Sequence, residues 1–232
     1  MRPSTPALLA CALACALAGS IAGPLAAGSS AGQAAYDLLI VNGRVIDGTG
    51  TPARVANVAV RDGRIVRIGA VSGAARDTMD AAGLVVAPGF IDVHTHADDV
   101  ADHPLAENFI RMGVTSIVAG NCGSSALRVR DALDRIREVG VAVNFGTLVG
   151  HNTLRTSVMG RVNRVSTIAE INRMKGLVFR AMADGALGFS TGLQYVPGTY
   201  ATNNEIVELA REAANNGGVY ATHMRNEGTA LE

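Results

Sequence analysis

The chain lacks tryptophan, and aromatic residues make up only 4% of its 232 positions. That composition excludes a platform for stacking nucleic-acid bases. Charge of one sign is also lacking: 20 basic residues face 20 acidic ones, for a formal net charge of zero. Without a basic surplus, neither nucleic acid nor another polyanion is an expected partner. Lysine occurs once, as Lys175, and every other cation is an arginine. Cysteine is scarce too, at Cys11, Cys15 and Cys122. The first two lie in an apolar N-terminal stretch, so the rest of the chain holds one thiol. A single thiol excludes a disulfide framework.

That N-terminal stretch reads as a secretory leader. Met1-Arg2 is cationic, residues 7–27 are apolar and uncharged, and Gly28-Ser29-Ser30-Ala31 follows. A signal peptide cut between about Ala27 and Ala35 fits this pattern. The alternative is an uncleaved membrane anchor, but the repeated glycines, Pro24 and the small-residue end favour cleavage. Leu8-Leu9-Ala10-Cys11 faintly resembles a lipoprotein acylation site but comes too early in the apolar stretch. The expectation is an exported protein, periplasmic or secreted, with residues 1–35 as leader and linker and no stable membrane partner after cleavage. A lone Cys122 in an exported chain has to be kept reduced, by burial or by binding a metal.

The remainder is apolar enough to bury a substantial core, and its periodicity changes near residue 88. Residues 36–88 are short strands and turns. Leu38-Leu39-Ile40-Val41 runs into Asn42-Gly43, a hairpin signal. Residues 55–60, Asp62-Gly63 and residues 65–68 repeat the device, and Leu84-Val85-Val86 ends the series. This predicts a small all-β domain of sandwich type. From residue 89 onward, strands at 90–94, 116–119, 141–148, 186–189 and 219–222 alternate with helices at 105–112, 126–139, 168–183 and 203–214. Such alternation implies an α/β fold with a parallel sheet or barrel. A closed eight-stranded barrel needs roughly 250 residues, so the expectation is the front part of a longer protein.

The most informative motif is His94-Thr95-His96, directly after the apolar run 84–93. Side chains two apart on a strand share a face. Two imidazoles at the end of a buried strand make half of a metal site, because burying them without partners costs free energy. Cys122 sits in Gly120-Asn121-Cys122-Gly123-Ser124-Ser125, after the second strand of the alternating region. A free cysteine is most often a small core residue, but these glycines mark a turn, and a thiolate beside histidines suits zinc. His223 ends the fifth strand and is the third strand end to offer a metal-type ligand. His151 follows the third strand in Gly150-His151-Asn152 and is expected to contact substrate or support the site from behind. His103 reads as a solvated loop residue. Two fates fit Tyr195, in the Gly-rich loop 185–198: a hydrogen-bond donor to a substrate oxygen, or a packed surface tyrosine.

Five segments together resemble the amidohydrolase superfamily, and within it the D-aminoacylase (N-acyl-D-amino-acid deacylase) family: residues 88–96, 120–123, 150–155, 190–198 and 222–225. The resemblance runs from about residue 36 onward. It implies a TIM-like (β/α)8 barrel, incomplete here and represented by its first five βα units at 89–232, preceded by the small β domain. It implies zinc held tightly by Cys122 and His223, with a second, weaker metal position at His94 and His96. It implies substrate contacts from Tyr195, and hydrolysis of the amide of an N-acyl-D-amino acid by metal-activated water. Most superfamily members bridge their metals with a carboxylated lysine or a glutamate. Ser190 ends the fourth strand here and Lys175 lies mid-helix, so a lysine bridge is not expected. The family's catalytic Asp and a further histidine would lie beyond Glu232. Residues 1–232 are therefore expected to be inactive alone, with no catalytic residue of their own. Other readings are an amidohydrolase acting on cyclic amides or dipeptides, which Cys122 and Ser190 disfavour, and a truncated, non-catalytic metal-binding protein.

Overall fold

The computed structural model describes residues 34–228. The expected leader, with Cys11 and Cys15, falls on residues outside that range. Among the described residues, no helix is long and apolar enough to cross a membrane. The chain divides into two units, the first formed by residues 34–45 and 53–86, the second by 46–52 and 87–228.

The first unit is a five-stranded sheet. β1 (Tyr36–Val45) pairs antiparallel with β2 (Arg54–Arg61), which pairs antiparallel with β3 (Arg64–Gly69). β4 (Ala75–Asp80) and the short β5 (Val85–Val86) run parallel to β1 on its other side. Asp62-Gly63 makes the β2–β3 hairpin with φ of 52° and 68°, the doubly left-handed turn that matches strand twist. Asn42-Gly43 does not turn the chain: β1 continues through it, with a register shift between Ile40 and Gly43. Asn42 takes φ 61°, and its side chain donates to Asp80 Oδ1 at 3.0 Å. The hairpin expected there is a β-bulge, since asparagine tolerates the left-handed backbone of a bulge as readily as that of a turn. Val45, Ala56 and Val58 form the unit's small core with Ile40 and Val86.

The second unit is an α/β layer. β6 (Phe90–Asp92), β7 (Val114–Ala119), β8 (Asn144–Gly150), β9 (Gly188–Gly192) and β10 (Val219–His223) lie in sequence order, all parallel. The helices are α1 (Glu107–Arg111), α2 (Val129–Val139), α3 (His151–Met159), α4 (Ile168–Asp184) and α5 (Asn203–Asn215). α4 buries Ile171, Met174, Val178 and Ala181 along one stripe, the spacing of one helix face. Thr167 and Glu170 close a reciprocal capping box at its start, and Gly185 takes the left-handed position at its end. These side chains pack with Val149, Leu154, Phe189 and Leu209 into the main core.

The unit departs from the sequence reading in two places. α3 has no counterpart in the sequence reading. The first strand was expected buried and running to residue 94, but β6 stops at Asp92 and, among the described residues, pairs with β7 alone. The Asp92 carboxylate accepts the His94 N–H at 3.1 Å, a local side-chain bond that competes with strand continuation. As an edge strand, β6 leaves Phe90 and Ile91 61% and 67% exposed.

Candidate metal centre

All five strands of the second unit point their C-terminal ends to one edge of the sheet, and the residues that follow those ends build the site. After β6, Thr95 turns inward. Its N–H and its hydroxyl both donate to the Val118 carbonyl, at 3.0 and 2.9 Å. With Thr95 buried, His94 and His96 on either side are left exposed, their ring centroids 5.6 Å apart. The alternation expected of a strand thus persists just past its end.

After β7 the chain makes the tight Gly120–Gly123 turn. Cys122 itself is left-handed, with φ 53°. Its Sγ lies 3.4 Å from His94 Nε2 and 3.6 Å from His223 Nδ1. The donor atoms of His94, His96 and Cys122 all fall within 4.8 Å of one another, and His223 reaches this cluster through the sulfur. The structure thus places His94, His96 and Cys122 together, with His223 in contact with the sulfur.

His223 is oriented from two sides. Its Nε2 lies 2.8 Å from Gln194 Oε1 and 3.2 Å from Glu227 Oε1. Both oxygens accept, so Nε2 carries the proton and the Nδ1 lone pair faces Cys122. A metal-binding histidine is usually fixed in this way. The Tyr195 hydroxyl stands 3.2 Å from the same Nδ1, with the two rings edge to face at 4.8 Å. Burial pushes the Cys122 thiol pKa up, and the Glu227 carboxylate raises it further. Burial also raises Asp98, against the Gly120 amide and the His96 imidazole, which lower it. A sulfur and imidazole nitrogens brought this close match the donor set of a zinc-type cation. A cavity of about 610 Å³ opens beside them, lined in part by His96, Cys122, Asn152, Thr156, Arg161 and Tyr195.

His151 is placed elsewhere. It is fully buried at the start of α3, and its Nε2 meets Glu205 Oε1 at 2.7 Å. It does not line the cavity; the next residues of α3, Asn152 and Thr153, do. Lys175 pairs with Glu208 of α5 at 3.0 Å, away from any ligand role. His103 is exposed, as expected of a loop residue. Sequence reasoning missed Gln194 and Glu227, whose roles depend on a contact to His223 that no spacing announces.

Residues 77–229 match the amidohydrolase family, and the chain belongs to that family. It is 43% identical to a D-aminoacylase from Alcaligenes xylosoxydans xylosoxydans, over 83% of this chain and 45% of that protein. A crystal structure of D-aminoacylase superposes with a TM-score of 0.79 at 42% identity, covering 83% of this chain and 46% of the other. The N-acyl-D-glutamate deacylase of Bordetella bronchiseptica, solved with zinc and a phosphonate inhibitor, gives 0.78 at 38%, with 83% and 46% covered. The chain spans about half the length of the relatives it matches. Its parallel α/β sheet corresponds to part of the amidohydrolase barrel.

Proposed function

We propose that this chain carries the metal-binding side of a zinc-dependent hydrolase that cleaves the amide bond of N-acyl-D-amino acids. The observation that carries the reading is the Cys122 sulfur, 3.4 Å from His94 and 3.6 Å from His223. The likeness to D-aminoacylase supports the substrate class, and the zinc in the deacylase structure supports the metal. Cys122 and His223 would hold one ion tightly, and His94 and His96 would serve a second, weaker position. When bound there, zinc lowers the pKa of water and polarises an amide carbonyl.

The chain's own groups orient the ligands and receive the substrate. Gln194 and Glu227 keep the His223 proton on Nε2. The Tyr195 hydroxyl, already directed into the same space, donates to a substrate oxygen. The cavity wall along α3 is polar and admits the amide and carboxylate of such a substrate. In the whole protein the five strands form part of a closed (β/α)8 barrel, and the N-terminal leader delivers it outside the cytoplasm.

The test is release of free D-amino acids from a panel of N-acetyl-D-amino acids by the complete gene product, with the L-enantiomers alongside and zinc content measured. Release restricted to D-substrates and dependent on metal is expected. No release from any D-substrate by metal-loaded protein would overturn the reading.

A further inference from the structure

Ser190 sits fully buried at the middle of β9, beneath the turn that carries Cys122. Its hydroxyl donates to the Gly120 carbonyl and accepts the Gly123 N–H, at 2.5 and 3.0 Å. One side chain therefore joins both ends of a four-residue turn. We propose that Ser190 is a positioning residue whose hydroxyl closes the Gly120–Gly123 turn and thereby sets where the Cys122 sulfur stands. The proposal rests on the reading of Cys122 as a metal ligand, but part of its test does not.

The turn needs such a closure. Gly120, Cys122 and Gly123 have φ of 73°, 53° and 78°. A non-glycine residue in that region is strained and persists only where its surroundings over-determine it. Below the turn there is bare main chain. A Cβ on Gly192 would stand 2.0 Å from the Cys122 carbonyl oxygen, and one on Gly150 would stand 2.4 Å from Gly123 carbon. α3 holds the far side of the turn, where the Thr153 N–H donates to the Gly123 carbonyl at 3.2 Å and the Thr153 hydroxyl to the Ser125 carbonyl at 3.0 Å. At the other end the Gly120 amide meets the Asp98 carboxylate and the Asn121 side chain donates to the Val118 carbonyl at 3.0 Å, and that end is linked to Gly123 by the hydroxyl of Ser190. Without its hydroxyl, a buried carbonyl and a buried N–H lose their partner together, and the turn is free to relax toward ordinary backbone angles, taking the sulfur with it.

The experiment compares the full chain with Ser190→Ala and with Thr191→Val. Thr191 is equally buried and lies on the same strand, but its hydroxyl bonds Tyr220 and Thr222 and not the turn. Cobalt(II) alone is the first probe. Ser190→Ala is expected to weaken its binding by about 10- to 100-fold, the usual effect of removing a group that orients a metal ligand, and to change the sulfur-to-cobalt absorption band. Thr191→Val is expected to leave both unchanged, whatever it does to thermal stability. Iodoacetamide on metal-free protein is the second probe, with alkylation of Cys122 read by peptide mass. Ser190→Ala is expected to speed it severalfold. Unchanged cobalt affinity and unchanged alkylation in Ser190→Ala would overturn the proposal, as would an equal loss in Thr191→Val.

Should Ser190→Ala not fold, amide exchange in the unaltered protein decides. The Gly123 N–H is expected to exchange at least about 100-fold slower than an unprotected amide, and exchange at the unprotected rate would overturn the clamp. Should the unaltered protein show no sulfur-to-cobalt band, the metal reading of Cys122 falls, while alkylation and exchange still rule on Ser190.

Discussion

The imidazole of His151 and the carboxylate of Glu205 meet at 2.7 Å, with neither side chain exposed to solvent. Glu205 also accepts from Ser166 at 2.6 Å and from the buried guanidinium of Arg155. One carboxylate on α5 thus ties together α3, the segment before α4, and its own helix. Burial opposes its charge, but the hydrogen bonds from His151, Ser166 and Arg155 outweigh burial and bring its pKa from 4.5 to about 2.

The first prediction concerns this carboxylate. A folded-state pKa below the unfolded one means that the protein gains stability from Glu205 in full above the unfolded value of 4.5, and loses it as pH falls through about 2. Urea unfolding at pH 7 and at pH 3 is expected to show that decline. Glu205→Gln leaves Arg155 buried without its counter-charge, which costs about 3–5 kcal/mol at pH 7, and the variant's stability changes less between the two pH values. A cost below about 1 kcal/mol would contradict the account.

A second prediction tests the sulfur. Cys122→Ser keeps the size of the side chain and removes the thiolate. The expected outcome is loss of the sulfur-to-cobalt absorption band and of tightly held zinc, measured by optical titration and elemental analysis. Full metal content in the variant would mean that the histidines alone hold the ion.

A third prediction concerns the floor of the turn. Gly192→Ala places a Cβ 2.0 Å from the Cys122 carbonyl oxygen, and backbone cannot rotate away as a side chain can. Overpacking of this kind costs about 1–3 kcal/mol, and the strain falls on the residue that carries the sulfur. Thermal unfolding is expected to show the cost, and a cobalt titration to show affinity falling with it.

The cap of α4 supplies a fourth. Glu170 Oε2 accepts the Thr167 N–H at 2.8 Å, and Thr167 Oγ1 accepts the Glu170 N–H at 3.2 Å. The Arg164 guanidinium, then the Thr167 N–H, hold the Glu170 carboxyl well below the usual range. Thr167→Ala is expected to cost about 1 kcal/mol, which lowers Tm by about 2–4 °C in a domain of this size, with metal binding untouched. A calorimetric scan checks it.

The site was more legible in the sequence than the scaffold around it. His94, His96, Cys122 and His223 stand at strand ends, and strand ends could be located from apolar runs followed by Gly, Asn or Asp. His94 and His96 also needed a reason to be polar after an apolar run, which singled them out. α3 offered nothing comparable. Its sequence, His-Asn-Thr-Leu-Arg-Thr-Ser-Val-Met, is poor in strong helix formers, and Gly150 before it makes no side-chain cap. It is helical because Leu154 packs in the core and His151 and Arg155 find Glu205, a partner 50 or more residues away. Asn42-Gly43 failed for a different reason: the same local backbone serves a turn and a bulge, and only pairing with β2 and β4 chooses between them. Gln194 and Glu227 carried no pattern, since their value lies in two oxygens arriving at one imidazole nitrogen.

The Cys122 turn rests on glycine main chain from β8 and β9, whereas the cavity beside it is lined in part by α3 side chains and Arg161. The turn and the cavity lining therefore age differently under mutation. A side chain added at Gly150 or Gly192 would collide with the turn, so those positions are held to glycine, while Asn152, Thr156 and Arg161 can be replaced one at a time. Such a molecule can change what enters the cavity while the sulfur stays in place.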